Sequence, residues 1–152
     1  MLSKSQAKLF FLAGTIIFSV LFLGLSYDTT FNRVGEQTHE ENITEAVITG
    51  RHIWDENNCM GCHTLLGEGA YYAPELTKVI ERRGAGYVKG VLMSPTPWGE
   101  HTSGRKMVAY GMTSEEADNM VAFFTWIGEM DLNGFPAKTK YKAEDLKKIE
   151  QK

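Results

Sequence analysis

The chain has almost no cysteine. It carries two in 152 residues, Cys59 and Cys62, and both fall inside one short motif. That scarcity excludes a disulfide framework beyond this single pair, so the fold must be held by its core or by a cofactor. A surplus of charge of either sign is also lacking. The formal net charge is -3 and the pI about 5.8, which excludes a surface built for nucleic acid or another polyanion. No stretch alternates apolar and polar residues in the manner of a strand, and no internal repeat appears. An all-α class is the expectation that remains.

One long hydrophobic run is present. Leu9 to Tyr27, LFFLAGTIIFSVLFLGLSY, contains no charge. At about 1.5 Å per residue such a helix spans about 28 Å, close to one bilayer core. A cleaved signal peptide is the competing reading. The run exceeds the usual apolar region of about 7–15 residues, and no A-x-A-like cleavage site follows. Residues 9–27 are therefore expected to be a retained single transmembrane anchor. Lys4 and Lys8 precede it, whereas Asp28, Glu36, Glu40, Glu41 and Glu45 follow against a single Arg33. Lys and Arg resist translocation, so residues 1–8 are expected in the cytoplasm and the remainder on the periplasmic side of a bacterial inner membrane.

Residues 28–41 are polar without a hydrophobic repeat and are expected to be a linker. The domain expected over 42–136 starts with a helix at Asn42, because Asn42 and Glu45 have capping-box spacing. Ala46, Val47, Gly50, Ile53 and Trp54 recur at three- and four-residue steps. Gly50 in mid-helix costs about 1 kcal/mol relative to Ala, which predicts a close helix crossing as compensation. A second helix is predicted from Thr113, with Glu116 three residues on. Ala117, Met120, Val121, Phe124 and Ile127 form its apolar face, flanked by Phe123 and Trp126. Thr77–Arg83 and Tyr87–Met93 are short helix candidates, followed by the loop SPTPWGEHTSGRK. Residues 137–152 alternate charges and are expected to be a solvated tail.

The motif that carries chemistry is Cys59-Met-Gly-Cys62-His63, the attachment signature of a c-type haem. Cys59 and Cys62 are expected to form thioethers to one covalent haem c, with His63 as the proximal iron ligand. A thiol–disulfide centre uses the same CxxC, but needs a βαβ setting that is missing here. The proximal histidine needs a partner to fix its ring, and Pro74 follows eleven residues later in Pro-Glu-Leu. In this respect the chain resembles class I cytochromes c, whose Pro-x-Leu segment offers its proline carbonyl to the histidine. The alternative is that Pro74 merely opens the next helix. For the sixth position the candidates are Met93, Met107, Met112, Met120, Met130 and His101. Met120 lies on a core face, Met130 at a helix end and Met112 at a staple position. Met107, in the loop before the last helix, is where class I cytochromes place their methionine. It is the expected axial ligand, and thioether ligation suits electron transfer.

The segment CHTLLGEGAYYAPEL, residues 62–76, resembles the small, cytochrome c subunit of bacterial cytochrome c-dependent nitric oxide reductase. The single anchor, the approach VITGRHIWDENNC and the distal GRKM are similar to that family as well. The family's axial methionine is commonly followed by proline, whereas Val108 follows here. The resemblance implies an electron-transfer subunit that serves a large catalytic membrane subunit. That partner is expected to hold haem b, haem b3 and a non-haem iron, where two NO become nitrous oxide and water. A soluble cytochrome c or a cupredoxin is the implied donor, with membrane lipid around the anchor and no nucleic acid. The resemblance also implies a calcium ion shared with the partner, to which Gly69 (through its carbonyl) and Tyr71 contribute. From the residues alone, Gly67 and Gly69 make turns, and Tyr71 and Tyr72 cover a haem edge or an interface. Glu68, between two glycines, is expected to make an interface hydrogen bond or to share in the electrostatics of that site. The rival functions are the mono-haem subunit of a cbb3-type oxygen reductase and, in another class, a haem-based ligand sensor with an open sixth site.

Overall fold

The computed structural model describes residues 3–99, 104–131 and 134–135, and the chain divides into two compact units, Met1–Glu41 and Asn42–Lys152. In the first, helix α1 (Lys4–Asp28) opens on a capping box. Ser3 accepts from the Gln6 amide N–H, and the Gln6 side chain accepts from the Ser3 N–H at 2.9 Å. These bonds satisfy donors that the helix start would otherwise leave unpaired. Its large apolar side chains face outward, Phe18 being 73% exposed. The helical stretch Lys4–Thr38 is long and apolar enough to cross a membrane.

The polar stretch 28–41, expected as a linker, is helical. A wide π-type turn (Thr29–Arg33) passes into α2 (Val34–Thr38), which stops where His39 takes a left-handed conformation at φ 50°. A 3-10 turn, Glu40–Asn42, follows. Extending an existing helix costs far less than nucleating one, so polar residues can continue α1 without an apolar face of their own. The amide of Asn32 donates to Asp28 at 2.8 Å across one turn of this continuation.

In the second unit, α3 spans Glu45–Glu56. Its cap is Thr44, whose hydroxyl accepts from Val47 N–H at 3.4 Å. Asn42, the expected cap, lies instead in the preceding 3-10 turn and donates its side-chain amide to Glu129 at 3.3 Å. Val47, Gly50 and Trp54 are the buried positions of α3. Helix α6 (Ser114–Glu129) starts at the predicted Thr113 cap, with both halves of the Thr113/Glu116 capping box formed. It buries Ala117, Met120, Phe123, Phe124 and Ile127, so Phe123 is central to the core rather than a flank. A Cβ on Gly50 would collide with the Asn119 carbonyl oxygen and lie 2.8 Å from Phe123 Cβ. The two helices therefore cross at backbone distance, and their packing offsets the cost of glycine in α3. Trp54 closes this core, its ring 5.7 Å from Phe124 edge-on and 6.2 Å from Phe123.

Two short helices, α4 (Val79–Arg83) and α5 (Ala85–Leu92), meet at Gly84 in place of the expected 77–83 and 87–93. The one departure from an all-helical chain among the described residues, apart from the isolated bridge Trp98–Met107, is a small antiparallel hairpin. Its strands, β1 (Thr64–Leu65) and β2 (Glu68–Gly69), are two residues each, too short for any alternation to announce them.

Candidate haem-binding site

Helix α3 ends before the cysteine motif. Asn58, at φ 49°, turns the chain, and Cys59–Gly61 form a single 3-10 turn, so the motif follows the helix instead of lying on it. The amides of Cys62 and His63 both donate to the Cys59 carbonyl, at 3.2 and 2.9 Å. Cys59 is buried and Cys62 exposed, and both thiols are free. Burial pushes the Cys59 thiol up to about 11, with Cys62 and Asp55 adding to the rise and a hydrogen bond to Tyr110 opposing it. Tyr110 in turn is raised by its own burial and by the neighbouring thiols.

His63 is 8% exposed, and its ring lies 6.5 Å from that of Trp54. Nδ1–H donates to the Pro74 carbonyl at 2.8 Å. That bond assigns the proton to Nδ1 and leaves the Nε2 lone pair available to a metal. Burial pulls the His63 pKa below the ordinary imidazole value, and the Pro74 bond opposes this less strongly. A neutral ring, the ligating form, is thereby favoured.

The segment that supplies Pro74 is bound back along the motif. Ala73 N–H donates to Cys62 O at 2.8 Å and Leu76 N–H to Thr64 O at 2.9 Å, while the buried Thr77 hydroxyl accepts from Leu66 N–H at 2.7 Å. Between the two runs the hairpin pairs Thr64 with Gly69 and Leu65 with Glu68. Leu66 and Gly67 form its turn with φ of 54° and 84°. Two positive values match the primed turn that suits strand twist, and the Thr77 bond holds Leu66 in a conformation its side chain disfavours. Gly69, at φ 118°, has no room for a side chain, because a Cβ would collide with the His63 carbonyl oxygen. This residue must be glycine on steric grounds alone, whatever else its carbonyl does.

On the distal side, Met107 and Trp98 exchange two backbone hydrogen bonds of 2.9 and 3.2 Å in an isolated bridge. Arg105 donates to the Tyr72 carbonyl at 2.9 Å, with its guanidinium 5.7 Å from the Tyr72 ring centre. The methionine loop is thus tied to the hairpin segment. Of the other candidates, Met112, Met120 and Met130 are buried in the core, and Met93 caps α5 at 38% exposure. His101 and the tail 137–152 lie outside the described residues.

Two free thiols beside an imidazole with an open Nε2 are the donor set that a covalently attached haem requires. For calcium the fit is partial. Among the described residues no group of three or more His, Cys, Asp or Glu gathers, and Tyr71 is 81% exposed. With about six to eight oxygens needed by that ion, Gly69 and Tyr71 fit only as part of a site completed by another chain. Thr77, Trp98 and Tyr110 were not foreseeable from the sequence, because each acts through a tertiary contact that no local spacing announces.

The cytochrome c family model matches residues 47–127, from the first turn of α3 to the last turn of α6. The chain is 39% identical over 138 residues to the nitric oxide reductase C subunit of Stutzerimonas stutzeri, covering 88% of this chain and 93% of that protein. It is 37% identical over 145 residues to the corresponding C subunit of Halomonas halodenitrificans, covering 89% and 94%. Against that of Paracoccus denitrificans the identity is 34% over 143 residues, covering 89% and 94%. With the haem motif, its histidine partner and this similarity along nearly the full length, the chain belongs to the cytochrome c family and, within it, to the C subunits of nitric oxide reductase.

Proposed function

We propose that this chain is the membrane-anchored electron-transfer cytochrome of a nitric oxide reductase. The observation that carries the reading is a haem-attachment motif with a pre-oriented histidine, in a chain similar to nitric oxide reductase C subunits over 88% of its length. Once bound, haem c supplies a one-electron couple. Cys59 and Cys62 hold it by thioethers, and His63 presents Nε2 to the iron while the Pro74 carbonyl fixes the ring.

Met107 is the sixth ligand in this reading. Its backbone is pinned on both sides by Trp98, which favours a fixed thioether, whereas Met112, Met120 and Met130 are committed to packing. A methionine raises the potential and closes the iron to exogenous ligands, which suits transfer and disfavours the sensor reading. Helix α1 anchors the chain, with Lys4 and Lys8 on the cytoplasmic side and the haem domain in the periplasm. Electrons arrive from a soluble cytochrome c or a cupredoxin. They leave to a catalytic partner subunit with haem b, haem b3 and non-haem iron, where two NO, two electrons and two protons give nitrous oxide and water. Gly69 and Tyr71 contribute to a calcium site shared with that partner.

The test is purification of the intact complex, with its gas consumption and metals measured. NO consumption with iron and calcium but no copper is the expected result. Oxygen reduction by a copper-containing complex would place the chain in a cbb3-type oxidase instead.

A further inference from the structure

Pro74 is held from both sides, and the downstream grip is unlike the rest of the site. Proline has no N–H, so its carbonyl, the acceptor for His63, is its sole main-chain polar group. Its placement therefore depends on its neighbours. Upstream, Ala73 is tied to Cys62. Downstream, the Glu75 carboxylate accepts from Thr77 N–H at 2.6 Å through one oxygen and from Arg82 Nη1 at 3.3 Å through the other. Arg82 Nη2 also donates to the backbone carbonyl of Glu75. One guanidinium on α4 thus grips both the side chain and the main chain of the residue next to Pro74.

We propose that Arg82 and Glu75 form a clamp that holds the Pro74 carbonyl on His63 and so sets the reduction potential of the attached haem; this rests on His63 being the iron's proximal ligand. With side chains 43% and 27% exposed, the pair contributes little to folding stability as an ion pair. Its geometry is better suited to positioning, because a planar fork fixes two acceptors at once. A firm Nδ1–H···O bond makes the imidazole a richer donor and favours ferric iron, so loosening the clamp raises the potential. The sign is diagnostic. Removing a cation near a haem by itself favours the ferric form and lowers the potential, the opposite direction.

The experiment is a redox titration of the haem-loaded, full-length protein with Arg82→Ala, Arg82→Lys and Lys89→Ala. Lys89 is the control, since it pairs with Asp118 at 2.6 Å and makes no bond to the Pro74 segment. Loss of a group bonded directly to a metal ligand costs about 10–100-fold in metal affinity or activity, and a group that acts through a second residue is expected to act less. Arg82→Ala should favour reduction about threefold, which is about 28 mV upward at about 59 mV per tenfold for one electron. Arg82→Lys, which loses the fork without the opposing loss of charge, should also shift upward, and Lys89→Ala should not shift upward. An unchanged or lowered potential in Arg82→Ala would overturn the clamp. If that variant fails to retain haem, Arg82→Lys carries the same test, an unshifted potential being the contrary result. Absence of covalent haem from the wild-type protein would instead sink the proposed function, leaving the two failures distinguishable.

Discussion

His63 and Pro74 sit eleven positions apart in the sequence and 2.8 Å apart in the structure. This contact was legible because the motif fixes the histidine and a single proline stands at the right distance. The sequence offers six candidates with the right chemistry for the sixth position, and Met107 is the one proposed. Replacing Met107 with Ala is expected to abolish the weak long-wavelength ferric band of methionine ligation and to admit CO to the reduced haem. Met112→Ala should retain the band, because Met112 is 8% exposed at the start of α6 and its amide is tied to Leu92. Absorbance spectra of the two variants decide between them. Gly69 illustrates how a residue with an expected ligand role also has a simpler one. Its lack of a side chain is demanded by the His63 carbonyl oxygen, which occupies the space a Cβ would need. Only the fold reveals that demand.

At the scale of elements, legibility followed the strength of local signals. Helix α6 begins where Thr113 and Glu116 said it would, because both halves of the box lie within one turn. Helix α3 is capped two residues later than Asn42, since Thr44 offers an equally good cap and Asn42 has a distant partner in Glu129. The helix over 34–38 and the two-residue strands gave no signal, one being a polar continuation of α1 and the other too short. The hydrogen bonds from Thr113 hold the Glu116 carboxyl below the ordinary glutamate range. A folded-state value lower than the unfolded one stabilises the fold above about pH 4.3 and ceases to do so as pH falls through the lowered value. The stability advantage of wild type over Glu116→Gln should therefore shrink on acidification below about pH 4.3, as read by denaturant titrations at several pH values. The α3–α6 crossing gives a larger effect. In Gly50→Ala a methyl group meets the Asn119 carbonyl, and the helices must part. Overpacking of this kind costs about 1–3 kcal/mol, although Ala alone would favour the helix. A lower midpoint in denaturant is expected, and a raised one would contradict backbone contact at the crossing.

The whole molecule joins a membrane-length apolar helix to a haem domain whose core is a pair of crossed helices. Both parts were legible, the first from an uncharged run and the second from the cysteine motif and helical spacing. The catalytic partner was not legible from physics alone, since a haem motif says only that an electron is carried. The likeness to nitric oxide reductase C subunits along nearly the whole chain is what points to one complex. Everything proposed for the complex turns on electrons reaching NO through this chain. Mixing the fully reduced complex with NO under anaerobic conditions, while following the haem c spectrum and nitrous oxide together, probes that route. Haem c should become oxidised, with one nitrous oxide formed for every two electrons withdrawn. Nitrous oxide formed while haem c stays reduced, or oxidation by oxygen but not by NO, would contradict it.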